Sequence, residues 1–179
     1  LGDGSVINRL SPVQVATHVV DMDAGYFHSV YVRGDGTVWA MGYNGLGQFG
    51  DGTTSNSLVP IQVGSATRTI AAGTYHTLFL KTDGTLWAWG LNSVGQLGQG
   101  DLTTRSVPTQ VGAATDWKAV AVGADYVLAQ KQSGILWAWG SGTVGQLGTG
   151  GSSSQSLPQQ MGTETSWVAF ACGSFTSVA

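Results

Sequence analysis

The side chains with the strongest claim to chemistry are three histidines, a close acidic pair and one thiol. His28 and His76 sit 48 residues apart in the same phase of a repeat, where the next units carry Tyr126 and Thr176; His18 lies outside it. Metal ligation or general-base work needs partners that converge on the imidazole. No carboxylate or second histidine falls in matching register, so these read as structural histidines bonded within their units. Asp21 and Asp23 form a pair, but no ligand-rich calcium loop surrounds them. Asp35, Asp51, Asp83 and Asp101 fall at turns. Cys172 occupies the place of Ala24, Ala72 and Val122 and reads as a small core residue. A lone cysteine also excludes an internal disulfide and a multi-cysteine zinc site. Serine is plentiful, but no Gly-x-Ser-x-Gly elbow occurs. Residues 45–50 match G-x-G-x-x-G, yet a dinucleotide fingerprint must open a helix, and here Thr, Ser and Asn lead to a proline strand. The expectation is a chain that is not an enzyme, with no catalytic residues, no cofactor and no metal.

What positions these residues is a repeat. All four prolines share one register, Pro12, Pro60, Pro108 and Pro158, spaced 48, 48 and 50. Gly25, Gly73, Gly123 and Gly173 form a second column; Trp39, Trp87 and Trp137 form a third. Gly-Gln-Leu/Phe-Gly begins at Gly47, Gly95 and Gly145. The only length change lies just after the proline, and the rest is length-locked, as strands paired in a fixed register require.

Each unit reads as four strands. Apolar runs at 19–24, 69–72, 117–122 and 167–172 end at the column glycine. A tight connection leads to strands at 28–32, 76–81 and 126–130. Asp35-Gly36 and Asp83-Gly84, with Ser133-Gly134 in the third unit, predict type I′ hairpin turns. Third strands follow at 37–42, 85–90 and 135–140. A glycine-rich loop then leads to a last strand around each proline, which suits an outer edge. In Leu86-Trp87-Ala88-Trp89 both faces are apolar, so both must be covered by other sheets, not by water. Four antiparallel strands per unit, stacked face to face, describe propeller blades. A two-sheet sandwich would require the four registered columns to arise by chance. Trp39, Trp87, Trp89, Trp137 and Trp139 read as blade-packing core.

Composition narrows the partners. The 179 residues carry 7 Lys+Arg against 10 Asp+Glu, a formal charge of −3, and only 9% are charged. No basic surface points to nucleic acid. No apolar run approaches the roughly 20 residues of a membrane helix. The chain starts without Met and shows no signal-peptide pattern, so its ends do not reveal a localisation.

Residues 71–90 (AAGTYHTLFLKTDGTLWAWG), with Asn92, Gly95-Gln96-Leu97-Gly98 and Val107-Pro108-Thr109-Gln110-Val111, resemble the regulator of chromosome condensation repeat over essentially the whole chain. The resemblance implies an all-β, seven-bladed β-propeller with four-stranded antiparallel blades. The Trp-rich, low-charge version resembles bacterial or secreted members, which favours an extracellular or cell-surface setting. About three and a half blades of the seven are expected: full blades at about 18–63, 67–111 and 115–161, and incomplete ones at 1–15 and 167–179. The sequence ends inside a strand, so the remaining blades are expected in the same polypeptide or from an assembly partner.

The functional expectation is a non-catalytic protein-interaction scaffold. Two alternatives are an exchange-factor-like regulator of a small GTPase and an accessory propeller of a larger enzyme or surface protein. Ultraviolet sensing, as in the plant photoreceptors with this fold, is not expected: their Gly-Trp-Arg-His-Thr corresponds to Gly73-Thr74-Tyr75-His76-Thr77, which lacks the chromophore Trp and the Arg. The candidate partner surface is the tip of each blade's first hairpin. After the column glycine come Tyr26-Phe27, Thr74-Tyr75, Ala124-Asp125 and Ser174-Phe175, three of them with an aromatic second. Exposed aromatics are common binding anchors. Tyr26, Phe27, Tyr75, Asp125 and Phe175 are the expected partner-binding residues. The competing possibility is that these rings fold inward and line the central channel.

Overall fold

The computed structural model describes residues 2–179. Among them there is no helix and there are fourteen strands. Three four-stranded antiparallel sheets follow one another. Blade 1 is β1 (Val19–Ala24), β2 (His28–Arg33), β3 (Val38–Gly42) and β4 (Ser57–Gly64). Blade 2 is β5 (Thr67–Ala72), β6 (His76–Lys81), β7 (Leu86–Gly90) and β8 (Arg105–Gln110). Blade 3 is β9 (Trp117–Val122), β10 (Tyr126–Lys131), β11 (Leu136–Gly140) and β12 (Gln155–Gln160). A two-stranded piece, β13 (Ala171–Cys172) with β14 (Ser177–Val178), follows. Pro60, Pro108 and Pro158 lie in β4, β8 and β12, the outer edges, where a missing N–H interrupts no ladder.

The register repeats from blade to blade. His28 pairs with Gly42, His76 with Gly90 and Tyr126 with Gly140. The hairpins differ from the expected type I′ turn, which needs φ > 0 at both central residues. Only the glycine is left-handed, at φ 80° for Gly36 and Gly84 and 88° for Gly134. Gly36 N–H donates to Arg33 O at 2.8 Å and Arg33 N–H to Thr37 O at 2.9 Å. The loop therefore holds three residues and ends in a glycine bulge. Asp35 stays at negative φ, and its Oδ1 accepts from Thr37 N–H and Oγ1–H.

Cores form between blades, not within them. Val30, Val32, Val38, Ala40 and Phe49 of blade 1 meet Ile70, Ala72, Phe79 and Trp89 of blade 2. Leu78, Leu86, Ala88, Leu97 and Val111 of blade 2 meet Trp117, Val127, Ala129 and Trp139 of blade 3. Trp87 and Trp89 thus face blade 1 while Leu86 and Ala88 face blade 3, so the doubly apolar strand is covered on both sides. The tryptophans divide in two. Trp89 and Trp139 are fully buried, whereas Trp39, Trp87 and Trp137 are half-buried under a cation. Arg33 lies 4.3 Å from the Trp39 ring, Lys81 4.2 Å from Trp87 and Lys131 5.3 Å from Trp137.

One link recurs at each seam. The glycine-rich loop of a blade offers its Gln carbonyl to the next blade's buried indole: Trp89 Nε1–H donates to Gln48 O at 2.7 Å, Trp139 Nε1–H to Gln96 O at 3.1 Å. Gly50 and Gly98 lie against those same indoles, where a Cβ would approach within 2.7 and 2.8 Å of Nε1. Gly47 and Gly50 close consecutive turns onto Asn44 O and Gly47 O, which accounts for the G-x-G-x-x-G match without a nucleotide.

At the amino end, residues 10–16 form no strand, although a last-strand piece is expected around Pro12–Val15. Such a strand needs a third strand to pair with, and none precedes it among the described residues. Residues 2–4 instead lie on blade 1 as residues 50–52 lie on blade 2: Gly4 N–H donates to Leu58 O at 2.9 Å and Gly52 N–H to Ser106 O at 2.8 Å.

Candidate functional site: an aromatic hairpin rim

The strand register assembles the rim. Because Gly42 pairs with His28, the residues just beyond them, Tyr43 and Phe27, must come together. Tyr43 N–H donates to Phe27 O at 2.8 Å, Leu91 N–H to Tyr75 O at 2.9 Å and Ser141 N–H to Asp125 O at 2.8 Å. The first tip residues are tied across blades: Tyr26 N–H donates to Thr74 O at 3.3 Å and Thr74 N–H to Ala124 O at 2.9 Å. This approach requires the column glycines. A Cβ on Gly73 would strike the His76 ring and come within 2.8 Å of Gly123 O. Their φ angles are ordinary, so glycine is needed here for space and not for conformation.

The two tip positions diverge. Tyr26, Thr74, Ala124 and Ser174 border the central channel, whose wall is the inner strands. Phe27 and Tyr75 line an outer groove of about 530 Å³ with Gly42, Tyr43, Asn56 and Leu58. Tyr26 is 68% exposed and Phe27 57%; Tyr75 is half-buried. Four rings cluster, edge to face except for the tilted pair Phe27 and Tyr75. Tyr26 and Phe27 have centroids 4.4 Å apart, Phe27 and Tyr75 6.3 Å, Tyr26 and Tyr75 6.4 Å, and Tyr43 lies 6.1 Å from Tyr75. Tyr43 is the residue that the sequence reading missed. Its signal was the length-locked register, which places the residue after the third strand beside the hairpin tip.

Asp125 and Phe175 do not join this cluster. Asp125 is half-buried at the next seam, with Gln96 Nε2 3.4 Å from its Oδ1, and burial raises its carboxyl above the ordinary value. Phe175 is 65% exposed, and no other ring packs on it among the described residues.

The candidate chemical groups are spent on structure. His28 Nε2 lies 3.0 Å from Thr77 Oγ1, which itself donates to Gln48 O at 2.8 Å. The Thr77 proton is committed, so His28 donates. Burial pushes the His28 imidazole down to about 4. His76 is fully buried with neither ring nitrogen bonded, and burial, with a smaller push from His28, takes it down to about 3. Asp21 and Asp23 reach across to blade 2, where their Oδ2 atoms accept from Ile70 and Ala72 N–H, each at 2.9 Å. Burial pushes the Cys172 thiol up to about 11, so it is not a thiolate at neutral pH. Among the described residues no three metal-ligating side chains come together.

Family models for the regulator of chromosome condensation (RCC1) repeat match residues 35–80, 83–130 and 133–179, and a second model of that repeat matches 19–48 and 68–96. Among solved structures, Prp20p of Saccharomyces cerevisiae, described with its binding to Gsp1p and histones, is 24% identical with a TM-score of 0.80, covering 89% of this chain and 43% of its own. Yeast RCC1 (Prp20) bound to Kap60 matches at 23% identity and a TM-score of 0.79, covering 89% and 41%. Human WBSCR16 matches at 19% and 0.67, covering 94% and 59%. The chain thus spans less than half the length of the two yeast structures. No curated protein sequence matches it. At these identities the structures speak to fold, while the repeat models cover most of the chain, which belongs to the regulator of chromosome condensation (RCC1) repeat family.

Proposed function

We propose that this chain is a non-catalytic protein-binding propeller segment whose partner docks on the hairpin rim at Tyr26, Phe27, Tyr43 and Tyr75, with Asp125 and Phe175 flanking. One observation carries the reading: a cluster of four neighbouring rings from two blades, two of them more than half exposed, beside a groove without a charged side chain. Aromatic rings give large contact area at low entropic cost, and uncovered clusters of this kind mark interaction surfaces. The yeast relatives are described as binding proteins. The net charge of −3 favours a protein over a nucleic acid as partner.

The test is the double substitution Phe27→Ser with Tyr75→Ser. These rings lie outside the inter-blade cores except for Tyr75's buried half, so the variant keeps its far-UV spectrum. Partner affinity falls by tenfold or more, about 1.4 kcal/mol or above. A variant that unfolds, or that binds a cross-linked and identified partner unchanged, removes the rim as the site.

A further inference from the structure

At the opposite end of the blades, each second strand finishes in a basic residue stacked on the half-buried tryptophan: Arg33 on Trp39, Lys81 on Trp87, Lys131 beside Trp137. In blade 3 this cation is neutralised inside the chain, with Lys131 Nζ 3.0 Å from Asp116 Oδ1. Asp116 is the residue just before β9, and its carbonyl accepts from Gln132 N–H at 2.8 Å. The same backbone bond identifies its counterpart in blade 1. His18, just before β1, accepts through its carbonyl from Gly34 N–H at 2.9 Å. Blade 1 thus replaces the acid with a histidine.

The consequence is an unpaired guanidinium. Among the described residues the Arg33 side chain has no ion pair and no hydrogen bond, and its Nε is buried without a partner. It sits on the wall of a pocket of about 300 Å³ lined by Thr17, His18, Arg33, Gly34 and Asp35. Asp35, the one acid on that wall, spends its Oδ1 on Thr37 N–H at 2.9 Å and Oγ1–H at 2.6 Å; its charge is felt by Arg33, but no ion pair joins the two. His18 Nδ1 lies 3.2 Å from Thr17 Oγ1, which leaves Nε2 free. Packing over Trp39 holds the guanidinium in place while Nη1 and Nη2 have no partner in the chain, the edge suited to a bidentate oxyanion. Blade 2 has Ala66 at the equivalent place, and so a cation with no second donor.

We propose that Arg33 and His18 form a carboxylate-binding site, filled by an acidic side chain of a partner polypeptide that supplies from outside what Asp116 supplies within blade 3. The site lies away from the aromatic rim and stands or falls independently of it.

The experiment follows the four arginine Nε–Hε signals by NMR while the chain is titrated with capped tetraglutamate and, separately, with inorganic phosphate. Tetraglutamate gives a saturable shift of the Arg33 signal. His18→Asp, which installs the internal acid of blade 3, weakens tetraglutamate binding about tenfold or more. Arg33→Gln, followed through backbone amides 17–18 and 34–35, does the same, and Lys81→Gln leaves it unchanged. Should Arg33→Gln fail to fold, His18→Asp alone decides. Absence of a saturable shift, binding undiminished in His18→Asp, or saturation by phosphate in preference to tetraglutamate each overturns the carboxylate site.

Discussion

Between blades 1 and 2, Asp21 and Asp23 cap the N–H groups of Ile70 and Ala72, and His28 meets Thr77. Between blades 2 and 3 the corresponding positions hold Thr69, Ala71, His76 and Val127, and none of those side-chain links exists. Both seams carry an apolar core, with Trp139 and Leu97 in the second standing where Trp89 and Phe49 stand in the first, and the second adds Trp117 and Val111. The backbone frame and the Gln-carbonyl-to-indole link are shared. One repeat geometry therefore tolerates two solutions, an apolar seam reinforced by side-chain hydrogen bonds and a seam held by apolar packing without them. Hydrogen bonds between partly buried groups contribute about 1 kcal/mol each, whereas a buried indole contributes several times that.

The largest break in this comparison is expected from Trp139→Ala. It empties the center of the apolar seam and leaves Gln96 O without its indole donor. A loss of about 3–5 kcal/mol in urea unfolding is expected. Trp137→Ala should cost clearly less, because Trp137 is half-buried and its Nε1 has no acceptor. The missing acceptor has a local cause. Thr37 and Thr85 accept from Trp39 and Trp87 at 2.9 and 2.8 Å, but blade 3 has Ile135 there. Equal losses for the two variants would contradict the division between buried and cation-covered tryptophans.

Much of this was legible in the sequence because columns in a length-locked repeat translate directly into register. Strand number in the three full blades, blade order, the edge prolines of β4, β8 and β12 and the two-faced third strand follow from spacing, whereas the strand expected around Pro12 does not form. What was not legible depends on contacts between blades. Asp21 and Asp23 look like an isolated acidic pair until β5 is placed 49 residues on, with its N–H groups pointing at them. The half-buried state of Trp39, Trp87 and Trp137 depends on Arg33, Lys81 and Lys131, which are the ends of a different strand. Tyr43 escaped because it lies after a strand, in a stretch that reads only as loop.

Acid should act on both seams through their histidines. An unfolded histidine takes up a proton near pH 6.5, while His28 and His76 resist protonation down to about 4 and about 3 because they are buried. Below pH 6.5 the unfolded state binds more protons, so stability is full above that pH and falls as pH drops toward 4 and then 3. Unfolding midpoints should decline between pH 6.5 and 5, ahead of any carboxylate titration. His28→Gln should flatten part of that decline. A midpoint constant from pH 7 to 5 would mean that these rings are not held neutral.

The smallest expected effect is also the sharpest, because it exchanges the chemistry of the two seams at one atom. Thr77 and Val127 occupy the same register position, opposite Ala72 and Val122. Thr77 links His28 to Gln48 O, and Val127, with no hydroxyl, leaves His76 unpartnered at both ring nitrogens. Thr77→Val should cost about 1–3 kcal/mol, since it strands a buried imidazole N–H. Val127→Thr should do the reverse. Its hydroxyl can donate to Gln96 O, as Thr77 does to Gln48 O and as Ser177 does to Gln146 O at 2.7 Å, and accept from His76 Nε2. Against this gain stands the cost of placing a hydroxyl where Val127 is fully buried. The two new bonds outweigh that cost only if both form, for a net gain of about 0.5–1.5 kcal/mol. Urea unfolding of the two variants, with the His76 ring proton followed by NMR, decides it. Destabilisation by Val127→Thr would show that the second seam has closed around apolar volume too tightly to accept the first seam's chemistry.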